Sequence, residues 1–354
     1  MAINIEPYII NQNKLFKNSQ EFSSLFLTNN HNSSILSKRS NTGFRNSSIK
    51  IFYKKFGIEY GNKNHWWGPG HHSSIVLSTN SPSQETYKIG TIEEVDINNF
   101  SFGIESILMP YKTTLNTKIF FTGLRGSISH RSSTLIVTLG FHRAYLSGEL
   151  PGVNPNNDIW TSSDAAFLIF EPLFGQSKRS LRYTIDGTPG FDLWDQLLSG
   201  YAKMFFVKQN LEIYVDLASD DNRANFSDLI AHWDHTLGYQ IGLNKIDYFK
   251  KYSTFFGFDY LSTRISNTYN PLFFRGDPNS LNYYNNYFYD YYTYKGRRMG
   301  AHSGSSSDDL YLIFGLNINN SIYYISLNKE RHGLKYTTYP EIKNEFQFTY
   351  IRAI

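Results

Sequence analysis

Cysteine is absent from this chain of 354 residues, so disulfide frameworks, thiolate metal sites and thiol nucleophiles drop out at once. The absence is compatible with an oxidising envelope and locates nothing further. Charge is scarce as well. Asp, Glu, Lys and Arg make up 18% of the residues, well under the roughly 25% of an ordinary soluble domain. The formal balance of +4 comes without any basic block, because Lys54-Lys55, Lys250-Lys251 and Arg297-Arg298 are isolated pairs, and no nucleic-acid partner is expected. No stretch approaches the ~18 consecutive apolar residues of a membrane-spanning helix, and mean hydropathy is −0.41. A membrane barrel escapes both tests, since its strands alternate lipid-facing and lumen-facing side chains. The first residues, Met1 to Glu6, show neither a basic n-region nor an apolar h-region, so no signal peptide is read there. Long helical periodicity, a fixed-period repeat and a linker composition are also missing, and residues 1–354 are read as a single domain.

What the chain has in excess is aromatic residues, 17% of the total with 27 Tyr and 28 Phe, which favours a fold with large aromatic surfaces. Its period is two almost everywhere. Leu135, Val137, Leu139 and Phe141 alternate with Thr138, Gly140 and His142. Leu211, Ile213, Val215 and Leu217 alternate with Glu212, Tyr214 and Asp216. The pattern returns at 237–243, 256–260, 310–316 and 346–350, and more weakly at 3–9, 49–60, 102–108 and 323–327. These segments sum to about sixteen strands, each near the length that crosses a bilayer at a tilt. Connections alternate between tight ones, such as 207–210 and 317–320, and long polar ones, such as 147–163 and 263–284. That asymmetry is the pattern of an outer-membrane barrel with short periplasmic turns and long external loops. The tyrosine-dense segment 283–292 suits an interfacial girdle or a wall on which sugars stack.

The least generic passage is Trp66-Trp67-Gly68-Pro69-Gly70, set between an alternating strand and the run Ser73 to Ser78. Two indoles offer large apolar faces and two donors, while Gly-Pro-Gly imposes a fixed turn that lets backbone approach something closely. One reading is a rigid loop presenting aromatic rings; the other is a tryptophan-anchored turn that fills a core.

The passage from His65 through Gly70 to Ser78 and Pro82 resembles the most diagnostic segment of the capsule assembly Wzi family of bacterial outer-membrane proteins. Other segments resemble that family in the same order: the strand pair 198–221 ending Asp220-Asp221, then 235–244 and 255–263, then the late segment Tyr292 to Gly300. The resemblance covers essentially the whole chain. It implies an all-β fold, a large antiparallel transmembrane β-barrel of about sixteen to eighteen strands, with a capsular or exopolysaccharide as partner, outer-membrane lipid around a monomeric wall, and a lectin-like role at the Gram-negative cell surface. The family also carries a small helical region before its barrel. Here that region and the first strands are read as missing, and a start upstream of Met1 is expected.

Catalytic and cofactor chemistry finds little support. His232 and His235 point to opposite faces if they lie on a strand, and the helical zinc-protease motif is absent, so no metal is expected. His71 and His72 diverge as neighbours and read as exposed loop residues. Asp220-Asp221 and Asp308-Asp309 read as turn formers on loops. Phosphate-loop and nucleophile-elbow motifs do not occur, and neither an enzyme nor a cofactor is expected. Polysaccharide binding asks only for flat aromatic faces, with basic and amide groups for hydroxyls and carboxylates. The candidate contact residues are Trp66, Trp67, Gly68, Pro69, Gly70, Lys295, Arg297 and Arg298, with a turn-locking or lipid-facing role as the competing reading. Two other classes remain: a porin for small solutes, and an outer-membrane hydrolase with groups converging in the lumen.

Overall fold

The computed structural model describes residues 1–14, 37–113, 118–148, 184–185, 188–189, 195–220, 237–264, 284, 292–295, 297–318, 321–334 and 341–352. In chain order the strands are β1 (Ala2–Asn4), β2 (Pro7–Lys14), β3 (Ser37–Phe44), β4 (Ser47–Tyr53), β5 (Phe56–Lys63), β6 (Gln84–Thr91) and β7 (Val95–Ile97). Next come β8 (Phe100–Lys112), β9 (Lys118–Arg131), β10 (Leu135–Gly148), β11 (Thr184–Ile185), β12 (Thr188–Pro189), β13 (Asp195–Phe206) and β14 (Leu211–Asp220). The chain closes with β15 (Leu237–Tyr248), β16 (Tyr252–Ser262), β17 (Thr293–Tyr294), β18 (Arg297–Arg298), β19 (Asp308–Ile318), β20 (Ser321–His332) and β21 (Glu341–Arg352).

Fifteen of these strands form one antiparallel sheet that runs from β1 through β4 to β21, and β2–β3, β11–β12 and β17–β18 form separate two-stranded ribbons. The architecture is the wall of a large transmembrane β-barrel. Among the described residues β1 and β21 do not pair with each other, so the described wall is open along that seam.

Register explains the fold class. On β14, Tyr214, Asp216 and Ala218 are buried on one face, while Ile213, Val215 and Leu217 are exposed on the other. Its partner β15 repeats the inversion, with Gln240 fully buried and Ile241, opposite Val215, exposed. The same holds for Glu59 against Ile58 and Tyr60, and for Asn328 and Glu330 against Ile325 and Leu327. Apolar side chains outside and polar ones inside is the arrangement that lipid selects and water opposes. From β8 onward the long strands carry ten to fourteen residues, enough to span the hydrocarbon layer at a tilt.

The strand expectations for 135–141, 211–217, 237–243, 256–260, 310–316 and 346–350 each fall within one long strand. Two weaker ones need correction. The segment 49–60 is a hairpin, β4 and β5, turning at Lys54 with φ 54°. The segment 3–9 splits into β1, which pairs with β4, and the start of β2, which pairs with β3. The tight connection 207–210 is a 3-10 turn, Val207–Gln209, closed by Asn210 in the left-handed region. Of the connection 317–320, residues 319–320 lie outside the described residues, as do most of the long connections 147–163 and 263–284.

Because every wall strand turns back antiparallel on the next, connections alternate between two ends. The turns at 54–55, 132–134, 207–210 and 249–251 share one end; the connections 64–83, 149–194, 221–236 and 263–307 share the other. Both candidate contact segments therefore belong to the long-loop end.

On the outward face, which meets lipid, a charge has no partner, whereas on the inner face its cost depends on the room and the polar partners around it. Val215→Arg is expected to lower folding stability in liposomes by about 2–4 kcal/mol, read as the shift in a urea titration, whereas Ser199→Arg on the inner face of β13 would show a different penalty governed by packing. Equal tolerance of arginine at Val215 and at exposed loop positions would contradict the transmembrane reading.

Candidate functional site: a loop folded into the barrel

The connection between β5 and β6, residues 64–83, does not project away from the wall but turns inward. Gly68 adopts φ +145°, and a Cβ there would stand 2.7 Å from Ser74 Oγ. A Cβ on Gly70 would stand 2.4 Å from the backbone oxygen of Ser73 and 2.0 Å from Gln240 Nε2, and the backbone contact makes glycine the residue that fits this approach to the wall. The Trp66 indole donates to Gly70 O at 2.9 Å, and Trp67 N donates to Leu77 O at 2.9 Å, closing the turn on itself. Ser74 Oγ donates to Trp67 O across the same turn.

Trp67 is the anchor. It is 1% exposed, its ring stacks on His142 with centroids 5.6 Å apart, and it meets Phe121 edge-on at 6.4 Å. Its indole donates to Glu105 Oε1 at 3.0 Å. Glu105 belongs to a ladder of charges on the inner wall, with Lys88 3.2 Å from Glu105 and 3.3 Å from Glu59, and Lys63 2.8 Å from Glu59. Further along, Asp259 accepts the backbone N–H groups of His71 at 3.2 Å and His72 at 3.1 Å, and Gln240 donates to Ser73 O at 2.8 Å. His71 reaches Glu212 at 2.8 Å, and His72 stacks on Tyr311 at 3.8 Å with rings 2° from parallel. The segment thus touches the inner face of the wall from β6 to β19. Within the lumen, desolvation lowers the His65 imidazole to about 4 against the pull of nearby Glu105.

The late segment packs on this loop. Ile75 and Val76 are fully buried with Tyr284, Tyr292, Met299 and Ala301. Tyr284 OH donates to Ile75 O, Tyr292 OH donates to Val76 O at 2.9 Å, and Ser78 N donates to Met299 O at 2.7 Å. A Cβ on Gly300 would stand 2.1 Å from Ile75 O, which accounts for the glycine. Two passages singled out separately in the sequence are one packed unit. Of the tyrosine-dense segment, only Tyr284 and Tyr292 are among the described residues, and both are buried in this unit rather than on a girdle.

The eight candidate contact residues separate into two sets. Trp67, Pro69, Gly70 and Arg298 are buried, and Gly68 is partly so. Arg298 is 0% exposed, lies 5.1 Å over the Tyr284 ring and donates to Tyr284 O at 3.4 Å; burial lowers its pKa to about 10. Aromatic and carbonyl acceptors in the packed unit draw it in, so its place in this structure is a packing one, as is that of Trp67. Trp66 is half-buried, while Lys295 and Arg297 are exposed on the β17–β18 ribbon, with Lys295 Nζ 5.2 Å over Tyr294. His72, expected to be exposed, is drawn inward by Tyr311. Asp308 and Asp309, expected on a loop, begin β19 and are buried, and Asp308 pairs with Arg331. Asp220 ends β14 and accepts Tyr284 N; Asp221, His232 and His235 lie outside the described residues. Below the inserted loop a cleft of about 350 Å³ is lined by His71, Glu212, Tyr214, Asn244, Asp259 and Tyr311. Neither this cleft nor His302, which faces His72 at a ring distance of 4.8 Å, was marked by any local spacing.

Two outcomes test the inserted loop. A Cβ on Gly123 would stand 2.5 Å from the Trp67 ring, so Gly123→Leu is expected to expel that ring and lower the midpoint of heat-modifiable gel migration, at a cost of about 1–3 kcal/mol. Trp67→Ala is expected to cost about 3–5 kcal/mol by the same measurement. For His65 the folded pKa lies below the ordinary 6.5, so its contribution is fully present above pH 6.5 and declines as pH falls toward about 4. His65→Asn should flatten that part of the stability profile, measured as urea midpoints across pH 4 to 7.

The chain matches no protein-family profile and no curated protein sequence. Among solved structures it is similar to the Escherichia coli outer-membrane protein Wzi, involved in group 1 capsule assembly and described as a carbohydrate-binding β-barrel, with TM-score 0.58 and 12% identity over 88% of this chain. The chain spans 64% of that protein's length. Weaker likenesses are to OccK8 (OprE) of Pseudomonas aeruginosa, at TM-score 0.31 and 8% identity over 86% of this chain and 78% of that one, and to LpxR of Salmonella typhimurium, at 0.23 and 10% over 75% and 86%. At these identities the likeness to Wzi concerns the fold: this chain has a Wzi-like outer-membrane β-barrel fold.

Proposed function

We propose that this protein is an outer-membrane barrel that binds a capsular or exopolysaccharide at the bacterial surface and anchors it there, as a monomer and without catalysing a reaction. The observation that carries the reading is the inserted loop. A segment tied to the inner wall from β6 to β19 makes a floor in the lumen, and such a floor suits an anchor better than a conduit. The Wzi-like fold supports the same reading, because that protein is itself described as carbohydrate-binding.

Chemistry at the long-loop end agrees with it. Trp66 presents a partly open indole face, and Lys295 and Arg297 present cations that suit hydroxyls and uronate carboxylates. Single contacts of this kind are weak. Repeated along one polymer they sum through effective concentration, which a chain-like ligand provides.

Two measurements on the purified, folded protein separate this reading from a channel. Trp66→Ala combined with Lys295→Ala and Arg297→Ala should weaken retention on immobilised acidic exopolysaccharide by about tenfold or more through lost avidity, with unchanged heat-modifiable migration. Planar bilayers should show no steady ion conductance. Steady conductance together with unaltered polysaccharide retention in the triple variant would favour the porin and sink the anchor.

A further inference from the structure

Three side chains from distant parts of the chain meet on the inner wall near the root of the long loops: His72 of the inserted loop, His302 of the β18–β19 connection, and Asp309 of β19. His302 Nε2 stands 3.2 Å from Asp309 Oδ2, and His72 Nε2 stands 3.5 Å from the same oxygen. One donor atom from each of the three lies within 4.8 Å of the others. A tetrahedral ion bound at about 2.0–2.1 Å to nitrogen and oxygen requires ligand atoms roughly 3.3 Å apart. Two of the three separations, 3.2 and 3.5 Å, already meet that requirement, and the third lies within 4.8 Å.

Two of the three side chains also keep donor atoms that the rest of the fold leaves without hydrogen bonds. Asp309 is 2% exposed, yet neither of its carboxylate oxygens takes part in a hydrogen bond, and the same is true of His72 Nε2. A buried carboxylate without hydrogen bonds is costly, and a cation held between it and the two imidazoles beside Oδ2 would offset that cost. The rings are meanwhile held from behind. Tyr311 stacks on His72, and Ser73 Oγ lies 3.2 Å from His302 Nδ1, which leaves Nε2 of His302 turned toward Asp309. Such outer contacts orient metal-bound imidazoles.

We infer that His72, His302 and Asp309 bind a divalent transition-metal ion of the zinc class, fastening the inserted loop and the late loop to β19. Two imidazoles and one carboxylate suit zinc, nickel or copper and are poor ligands for calcium or magnesium. Glu330 Oε1, 3.6 Å from His302 Nε2, stands at the margin of the site, and its own contacts to Lys343 at 2.8 Å and Asn328 at 2.9 Å hold it there. The ion would join residues separated by more than two hundred positions, a cross-link of the kind a cysteine-free chain lacks.

The test uses the full chain folded in detergent micelles, stripped with chelator and titrated with zinc by calorimetry. About one equivalent is expected to bind. His72→Phe keeps the stack on Tyr311 and removes the donor, and Asp309→Asn keeps the volume and removes the charge; each should weaken zinc binding by at least about tenfold. His130→Ala, an exposed imidazole at the short-turn end of β9, should leave it unchanged. Cobalt(II) added to the stripped wild-type protein should develop the intense visible bands of a four- or five-coordinate ion, a readout that does not depend on any variant folding. Sub-stoichiometric zinc, affinity equal in His72→Phe and wild type, or a cobalt spectrum of the hexa-aqua ion would each overturn the site. None of these readouts involves a polysaccharide, so their failure is separate from failure of the anchoring role.

Discussion

Everything in this fold depends on turning the usual burial pattern inside out. The outer face of the wall carries Ile213, Val215 and Leu217, so lipid, not a protein core, covers the apolar side chains. The polar side chains are consequently trapped within the wall, where Gln240, Asp259, Glu105 and His142 cannot rely on bulk water alone. Each needs a partner supplied by protein. The inserted loop answers that need with its backbone and its indole: Asp259 receives two N–H groups, Gln240 gives to a carbonyl, and Glu105 receives the Trp67 N–H.

Within that polar lumen the loop builds a small conventional core of its own. Ile75, Val76 and Leu77 are covered by Tyr284, Tyr292, Met299 and Ala301, and Trp67 joins this cluster to Phe121 and Ile119 on the wall. The tyrosine hydroxyls matter as much as the rings, since Tyr284 and Tyr292 satisfy the carbonyls of Ile75 and Val76 that burial would otherwise orphan. Pro69 lowers the entropy lost on ordering the turn, while Gly68 and Gly70, which raise it, remove side chains where Ser74 and Gln240 press closest.

Much of the wall was legible in the sequence because a period of two is a local signal. Alternation at 135–141 and 211–217 requires only neighbouring residues, and so does the tight turn at 207–210. The hairpin at Lys54 was missed because Ile49 to Tyr60 keeps its alternation on both sides of a two-residue turn with no glycine or asparagine to mark it. The site was legible only as a pair of conspicuous passages. That Trp66-Trp67 and the segment around Arg298 pack together depends on a chain reversal of more than two hundred residues. That one tryptophan of the pair is buried and the other half-buried follows from the contacts of Trp67 with Glu105, Phe121 and His142 on distant strands, which no local pattern reveals. His72, His302 and Asp309 share no spacing at all, and their meeting follows from topology alone.

The division of each motif into a buried and an open half bears on the proposed anchoring role. A polymer held by many weak contacts gains little from a mobile surface, because every contact would then carry the cost of ordering the side chain that makes it. Trp67 and Arg298 lock the two loops into the lumen, each beside or one residue away from the groups that remain accessible, Trp66 and Arg297. The buried half thus fixes the position of the open half before any ligand arrives. Such preorganisation rests on the inserted loop, so its ties across the inner wall and the fixed placing of the groups beside it have a single structural cause.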